Sequence, residues 1–247
     1  EKTEVTIKPS SGKNVAVDFG QISFALENRD KTYTYTITES GKVSGVTNDS
    51  AKTVSFKVVD DGAGNLTAAE ITTSEGGLLF TNTYAAVGST SFSGSKTIEG
   101  REFKEGDSWK FTLTGSKGAP MPEETEVTIN PISGYTTAVE FGTINYSLAN
   151  VGEHTYTITE SGSVTGVTND SKSHTVTVVV SDNGDGTLGI NKTYSDGTTG
   201  FSFINTYNAG GGYKLSASKA IDGRAFQPGD EWTFTVTGSE GAPMPEK

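Results

Sequence analysis

Cysteine is absent from the 247 residues, so neither a disulfide framework nor thiol catalysis is available. Histidine occurs only at His154 and His174. That is too few for a histidine-built metal site, and no metal or other cofactor is expected. Hydrophobic residues are scarce at 32%, and no run approaches the ~18 apolar residues of a membrane-spanning helix. Membrane insertion is therefore not expected. No signal-peptide pattern or lipidation motif is present, and a chain that begins at Glu1 reads as an excerpt or mature fragment. Basic residues are outnumbered, 19 Lys plus Arg against 30 Asp plus Glu, for a formal charge of −11. Such a surface repels phosphate backbones, which argues against a nucleic-acid partner. No Ser/His/Asp or paired-carboxylate pattern points to a turnover enzyme.

Helical periodicity is also nearly missing. In its place stands alternation with a period of two, as in Thr34-Tyr35-Thr36-Ile37 and Val176-Thr177-Val178-Val179-Val180. This is the pattern of strands with one face in water. Turn signals separate the runs at Ser40-Gly41, Asp61-Gly62, Ser161-Gly162 and Asn183-Gly184-Asp185-Gly186. The last could pass for a calcium loop, but it lacks the EF-hand spacing and closing Glu, so it reads as a hairpin turn. The expected fold is all-β and immunoglobulin-like.

The chain repeats itself at a spacing of 121–123 residues. Thr3-Glu4-Val5-Thr6-Ile7 returns as Thr125-Glu126-Val127-Thr128-Ile129, Thr34–Glu39 as Thr155–Glu160, Phe80–Tyr84 as Phe203–Tyr207, and Lys96–Arg101 as Lys219–Arg224. The phase is unusual. Gly118-Ala119-Pro120-Met121-Pro122-Glu123 lies in mid-chain while its copy, Gly241–Glu246, closes the chain, and Glu1-Lys2 matches Glu246-Lys247. The expected organisation is one complete sandwich, residues 88–209, flanked by two complementary partial ones. Residues 1–87 are the later strands of a split domain, and residues 210–247 are the first strands of one.

Sorting strand residues by face exposes a chemical oddity, since successive side chains point oppositely. Lys96 aligns with Phe92 and Ile98, Glu160 with Tyr156 and Ile158, and Asn205 with Phe203 and Tyr207. The copies agree for Lys219, Glu39 and Asn82. Each repeat thus puts a lysine, a carboxyl and a carboxamide on core-facing positions, where an unpaired charge is costly. They are expected to meet one another. In an apolar pocket the amine loses its proton and becomes nucleophilic, while the carboxyl keeps its own and can donate to the carboxamide oxygen. Attack on the carboxamide carbon releases ammonia and leaves an isopeptide bond, once per molecule. Trp109 and Trp232 read as core. Asn48-Asp49-Ser50 and Asn169-Asp170-Ser171 read as chance glycosylation triplets.

These motifs in this order resemble the pilin isopeptide-linkage domains of Gram-positive backbone pilins and surface adhesins: Lys96–Arg101 with Phe111-Thr112-Leu113, then Tyr156–Glu160, then Phe203–Tyr207. The resemblance implies a CnaB-type sandwich with Lys96 as nucleophile, Glu160 as proton shuttle and Asn205 as electrophile. Lys219, Glu39 and Asn82 take the same roles in the split domain. It further implies a stalk or fibre module, extracellular and anchored to the cell wall. Its partners would be identical chains joined head to tail, or adjacent repeats of a longer parent. A module binding a host glycan or protein is the alternative. No LPXTG-type sorting signal or pilin motif is found.

Overall fold

The computed structural model describes residues 3–246, so the Glu-Lys pairs at the two ends fall partly outside it. It is all-β, with sandwich topology of the immunoglobulin-like kind. The first part contains β1 (Thr32–Ile37), β2 (Val46–Thr47), β3 (Lys52–Asp60), β4 (Leu66–Thr73) and β5 (Thr83–Tyr84). The middle part contains β6 (Val87–Thr90), β7 (Ser93–Glu99), β8 (Trp109–Gly115), β9 (Glu126–Ile129), β10 (Thr136–Glu140) and β11 (Ile144–Ser147). It continues with β12 (Gly152–Ser161), β13 (Val167–Thr168), β14 (Ser173–Asp182), β15 (Leu188–Tyr194) and β16 (Phe201–Tyr207).

Two sheets of the middle part face each other. One runs β15-β14-β12-β8-β9 and the other β10-β7-β16-β13. The alternation seen in the sequence supplies the filling. Trp109, Phe111 and Leu113 of β8, Tyr156 and Ile158 of β12, Val176, Val178 and Val180 of β14, and Phe201 and Phe203 of β16 are all buried. Each such side chain contributes about 1.5–3 kcal/mol on leaving water. The intervening Thr and Ser residues face outward, which explains how so polar a chain can still enclose a core. First and last strands lie side by side: β7 pairs with β16 in parallel, Lys96 opposite Phe203 and Ile98 opposite Asn205.

The first part builds less. Its sheet is β1-β3-β4, with β2 and β5 as a separate ribbon. Among the described residues strand β1 pairs with β3 on one side only, whereas its counterpart β12 lies between β14 and β8. Among the described residues strand β5 pairs with β2 alone, whereas its counterpart β16 has both β13 and β7 beside it. Residues 210–247 repeat the sequence of the segment that carries β7 and β8, the strands that flank β16 and β12 in the middle part. They were expected to supply strands, yet no strand is formed among their described residues. The physical reason is that a strand needs a ladder partner for its N–H and C=O groups.

The first part abuts the middle one at a tight joint. Tyr84 Oη donates to Asp182 Oδ1 at 2.7 Å and accepts from the Gly186 N–H at 3.3 Å. Gly45 and Gly186, both in the left-handed region, meet there, and a Cβ on Gly45 would stand 2.5 Å from Gly186 Cα. Only glycine fits both that backbone conformation and that gap. The 182–186 turn is the tip of the β14–β15 hairpin.

Candidate functional site

Lys96, on β7, and Asn205, on β16, project from adjacent parallel strands toward the facing sheet, where β12 carries Glu160 next to its last residue. The structure brings the three together. Lys96 Nζ lies 2.9 Å from Glu160 Oε1, and neither side chain has any exposed surface. Asn205, likewise buried, donates through Nδ2 to the same Glu160 oxygen at 3.2 Å. Trp109 closes one wall, with Lys96 Nζ 5.2 Å from its ring centroid, and Phe111 packs on Phe203 at 5.4 Å.

This enclosure shapes the protonation states. Burial pulls the Lys96 amine below its ordinary pKa, and the neighbouring Glu160 opposes that only in part. Burial likewise pushes the Glu160 carboxyl up against the opposing pull of Lys96 and Asn205. Both directions favour the neutral pair, an amine beside a carboxylic acid. The contact has ion-pair distance but lacks hydrogen-bond direction. Lys96 Nζ and Glu160 Oε2 have no directed hydrogen bond among the described residues. Unmet buried polar groups cost about 1–3 kcal/mol each, a cost that loss of the lysine charge relieves.

Two residues that the sequence reading set aside complete the site. Asn169 and Asp170 follow β13 in the connection to β14. Trp109 Nε1 donates to Asn169 Oδ1 at 3.2 Å, and Asn205 Nδ2 donates to the same oxygen at 3.0 Å. The Asp170 main-chain N–H donates to Asn205 Oδ1 at 2.7 Å. These bonds fix the carboxamide's orientation, because an indole or backbone N–H can only donate. The carboxamide oxygen therefore faces Asp170, and the NH2 group faces Glu160. Glu160 was expected to donate to the oxygen; in this geometry it stands instead beside the attacking and the leaving nitrogen. The available signal was the recurrence of Asn-Asp-Ser at the repeat spacing.

Two of the corresponding residues meet in the first part. Asn82 Nδ2 donates to Glu39 Oε1 at 2.8 Å, and both residues are exposed. Lys219 is elsewhere: its Nζ donates to the Ala220 carbonyl at 2.6 Å, and no hydrogen bond or ion pair joins it to Glu39 or Asn82 among the described residues. Its own surroundings nevertheless repeat those of Lys96. Lys219 Nζ is 4.7 Å from the Trp232 ring. Phe226 meets Trp232 edge-on at 5.5 Å, as Phe103 meets Trp109 at 5.7 Å. Arg224 grips Asp230 through two bonds, as Arg101 grips Asp107.

The remaining candidates have structural partners. His154 lies against Tyr146 with Nε2 at 2.7 Å from the Asn150 carbonyl, and His174 Nε2 is 3.0 Å from the Ser202 carbonyl. Among the described residues no group of three or more His, Cys, Asp or Glu could hold a metal ion. A family model described as FctA, a Spy0128-like isopeptide containing domain, matches residues 1–85 and 92–208. A search of curated proteins found no match.

Proposed function

The chain belongs to the FctA family of Spy0128-like isopeptide-containing domains, a pilin- and adhesin-type module, and from that premise we propose that it is the covalently locked stalk of a cell-surface fibre. The lock is a Lys96–Asn205 isopeptide bond formed by the folded chain itself. The single observation that carries this reading is the Lys96–Glu160–Asn205 cluster enclosed between the sheets. Neutral Lys96 Nζ attacks Asn205 Cγ, and the carbonyl electron pair moves to Oδ1. Glu160, the carboxylic acid of the neutral pair, gives its proton to Nδ2 and takes one back from Nζ, so that ammonia departs and the amide remains. The fold holds the reactants together and supplies about 7–11 kcal/mol of the barrier that a bimolecular reaction would face. Glu160 ends as it began, but the product stays in place, so there is one turnover.

The decisive measurement is intact mass. The purified chain should weigh one ammonia less than its sequence for each internal bond, with Lys96 and Asn205 joined in the peptide map. Glu160→Ala and Lys96→Ala should both return the full mass of this domain. A wild-type chain at full mass would remove the proposed function.

A pH profile tests the proton shuttle. The reactive pair holds one proton. A second proton, taken up in acid, leaves only an ammonium and no nucleophile. Loss of the proton in alkali leaves a carboxylate that cannot protonate the leaving nitrogen. Ligation of newly synthesised chain should therefore be fastest on a plateau around neutrality. Its limbs should be displaced inward from the ordinary values of 4.5 for the carboxyl and 10.5 for the amine, because burial moves Glu160 up and Lys96 down. A rate that climbs without limit into alkali would exclude Glu160 as the acid.

The same premise extends to the split domain. Residues 1–87 and 210–247 carry complementary halves, and we propose that neighbouring chains, or adjacent repeats of a longer parent, join them head to tail outside the cell.

A further inference from the structure

Asn169 and Asp170 have no place in the three-residue chemistry, yet more polar contacts converge on Asn205 from them than from Glu160. We infer that this pair is the electrophile clamp of the condensation: the Asp170 main-chain N–H binds the oxyanion that develops on Asn205 Oδ1, and Asn169 holds the departing NH2 group toward Glu160. The inference rests on the proposed Lys96–Asn205 reaction and deepens it.

The chemistry creates the need. When Lys96 Nζ bonds to Asn205 Cγ, the former carbonyl oxygen takes a negative charge inside an apolar core. A donor already aimed at that oxygen stabilises the charge without reorganisation. The Asp170 N–H is such a donor at 2.7 Å. Its aim is set by the Asp170 side chain, which spans two segments. Oδ2 accepts from the Ile204 N–H at 3.1 Å, on the strand that carries Asn205, and Oδ1 accepts from the Lys172 N–H at 3.0 Å. Burial acts against this carboxylate, but those two N–H groups outweigh it and hold its pKa below the ordinary value. The side chain is thus a positioning group, and the main-chain N–H is the group in contact with the reacting atom. Asn169 is fixed in turn, its Nδ2 donating to the Gly162 carbonyl at 2.7 Å and its Oδ1 accepting from Trp109.

The first part repeats the Asp170 half of this arrangement. The Asp49 N–H donates to Asn82 Oδ1 at 3.0 Å, the Thr81 N–H donates to Asp49 Oδ2 at 2.9 Å, and Asn48 Nδ2 donates to the Gly41 carbonyl at 3.0 Å. This copy stands although no lysine or tryptophan from residues 210–247 reaches it. The main-chain N–H contact to the carboxamide oxygen therefore forms from the later strands alone and needs no nucleophile to set it.

The test follows ligation of the full chain during cell-free synthesis, with timed acid quenching and intact mass. Asp170→Ala should slow loss of ammonia at least about tenfold, because the loop that aims the N–H loses both anchors. Asp170→Asn, which keeps an acceptor oxygen, should recover most of the rate. A chain with an ester in place of the 169–170 amide keeps the carboxylate anchors and removes only the N–H. It should be slowed about 10²–10³-fold, the usual effect of one such donor. The ester variant decides the matter where Asp170→Ala fails to fold. Wild-type rate in the ester variant overturns the clamp while leaving the Lys96–Glu160–Asn205 reaction intact. Absence of ammonia loss in the wild type overturns both.

Discussion

Replacing Lys96 by methionine should lower the melting temperature of the middle sandwich by about 15–20 °C, and trypsin should cut a domain that it otherwise leaves whole. The proposed bond would close a loop of about 110 residues between the first and last strands, which on the chain-entropy account is worth about 4.7 kcal/mol. At the few degrees per kcal/mol usual for domains of this size, that gives the expected shift. Methionine roughly conserves the lysine volume, and Glu160 can stay neutral beside it, so the loss reports the missing cross-link rather than a cavity or a stranded ammonium. The chain has no cysteine to provide another covalent tie. Because β7 and β16 are neighbours in parallel register, tension applied at the two ends of this domain would run through the bond rather than through the sheet ladders. Equal melting and equal protease survival of the two forms would remove the stabilising role.

Much of this site was legible because strands make side-chain direction periodic. Once Phe92, Lys96 and Ile98 are placed on one face, the lysine must point where Phe92 and Ile98 point, and both are fully buried. The same logic carries Glu160 inward with Tyr156 and Ile158, and Asn205 with Phe203. Period-two reasoning has nothing to say off the strands. Asn169 and Asp170 lie in a connection, where backbone course rather than alternation decides direction, so their role became visible only through the hydrogen bonds to Asn205. Nor does a face assignment specify how a carboxamide is turned about its last bond. That depended on Trp109 and the Asp170 N–H, donors from two separate segments. Residues 210–247 show the opposite limit. Their alternation is that of β7 and β8, but pairing is a tertiary property, and the local pattern forms no ladder alone.

Mixing full-length chains at high concentration should produce a ladder of covalent multimers on a denaturing gel, and Lys219→Ala should collapse it to a single band. The surfaces left open at the two ends are counterparts of one core. Trp232 is 42% exposed and Phe234 67%, whereas Trp109 and Phe111 are at 1% and 0%. On the other side Tyr35 is 38% exposed, whereas Tyr156 is fully buried. Residues 232–238 would pair with the free edge of β1 as β8 pairs with β12, and the Lys219 strand would lie beside β5 as β7 lies beside β16. Such edge-to-edge addition satisfies the backbone and covers the apolar face in one step. Each half already holds part of the arrangement: Lys219 over Trp232 on one, Glu39 and the Asp49 N–H on Asn82 on the other. Trp232 would then be placed to donate to Asn48 as Trp109 donates to Asn169, and Lys219 would reach Glu39 and Asn82. The middle sandwich separates the two halves along the chain, so a contact between chains would be heterologous and each addition would expose the next acceptor, giving a filament rather than a closed dimer. Glu39→Ala should leave chains that associate but separate in denaturant. A wild-type chain that stays a single band at high concentration, with residues 210–247 protected from protease, would mean that the halves close within one molecule and would sink the filament.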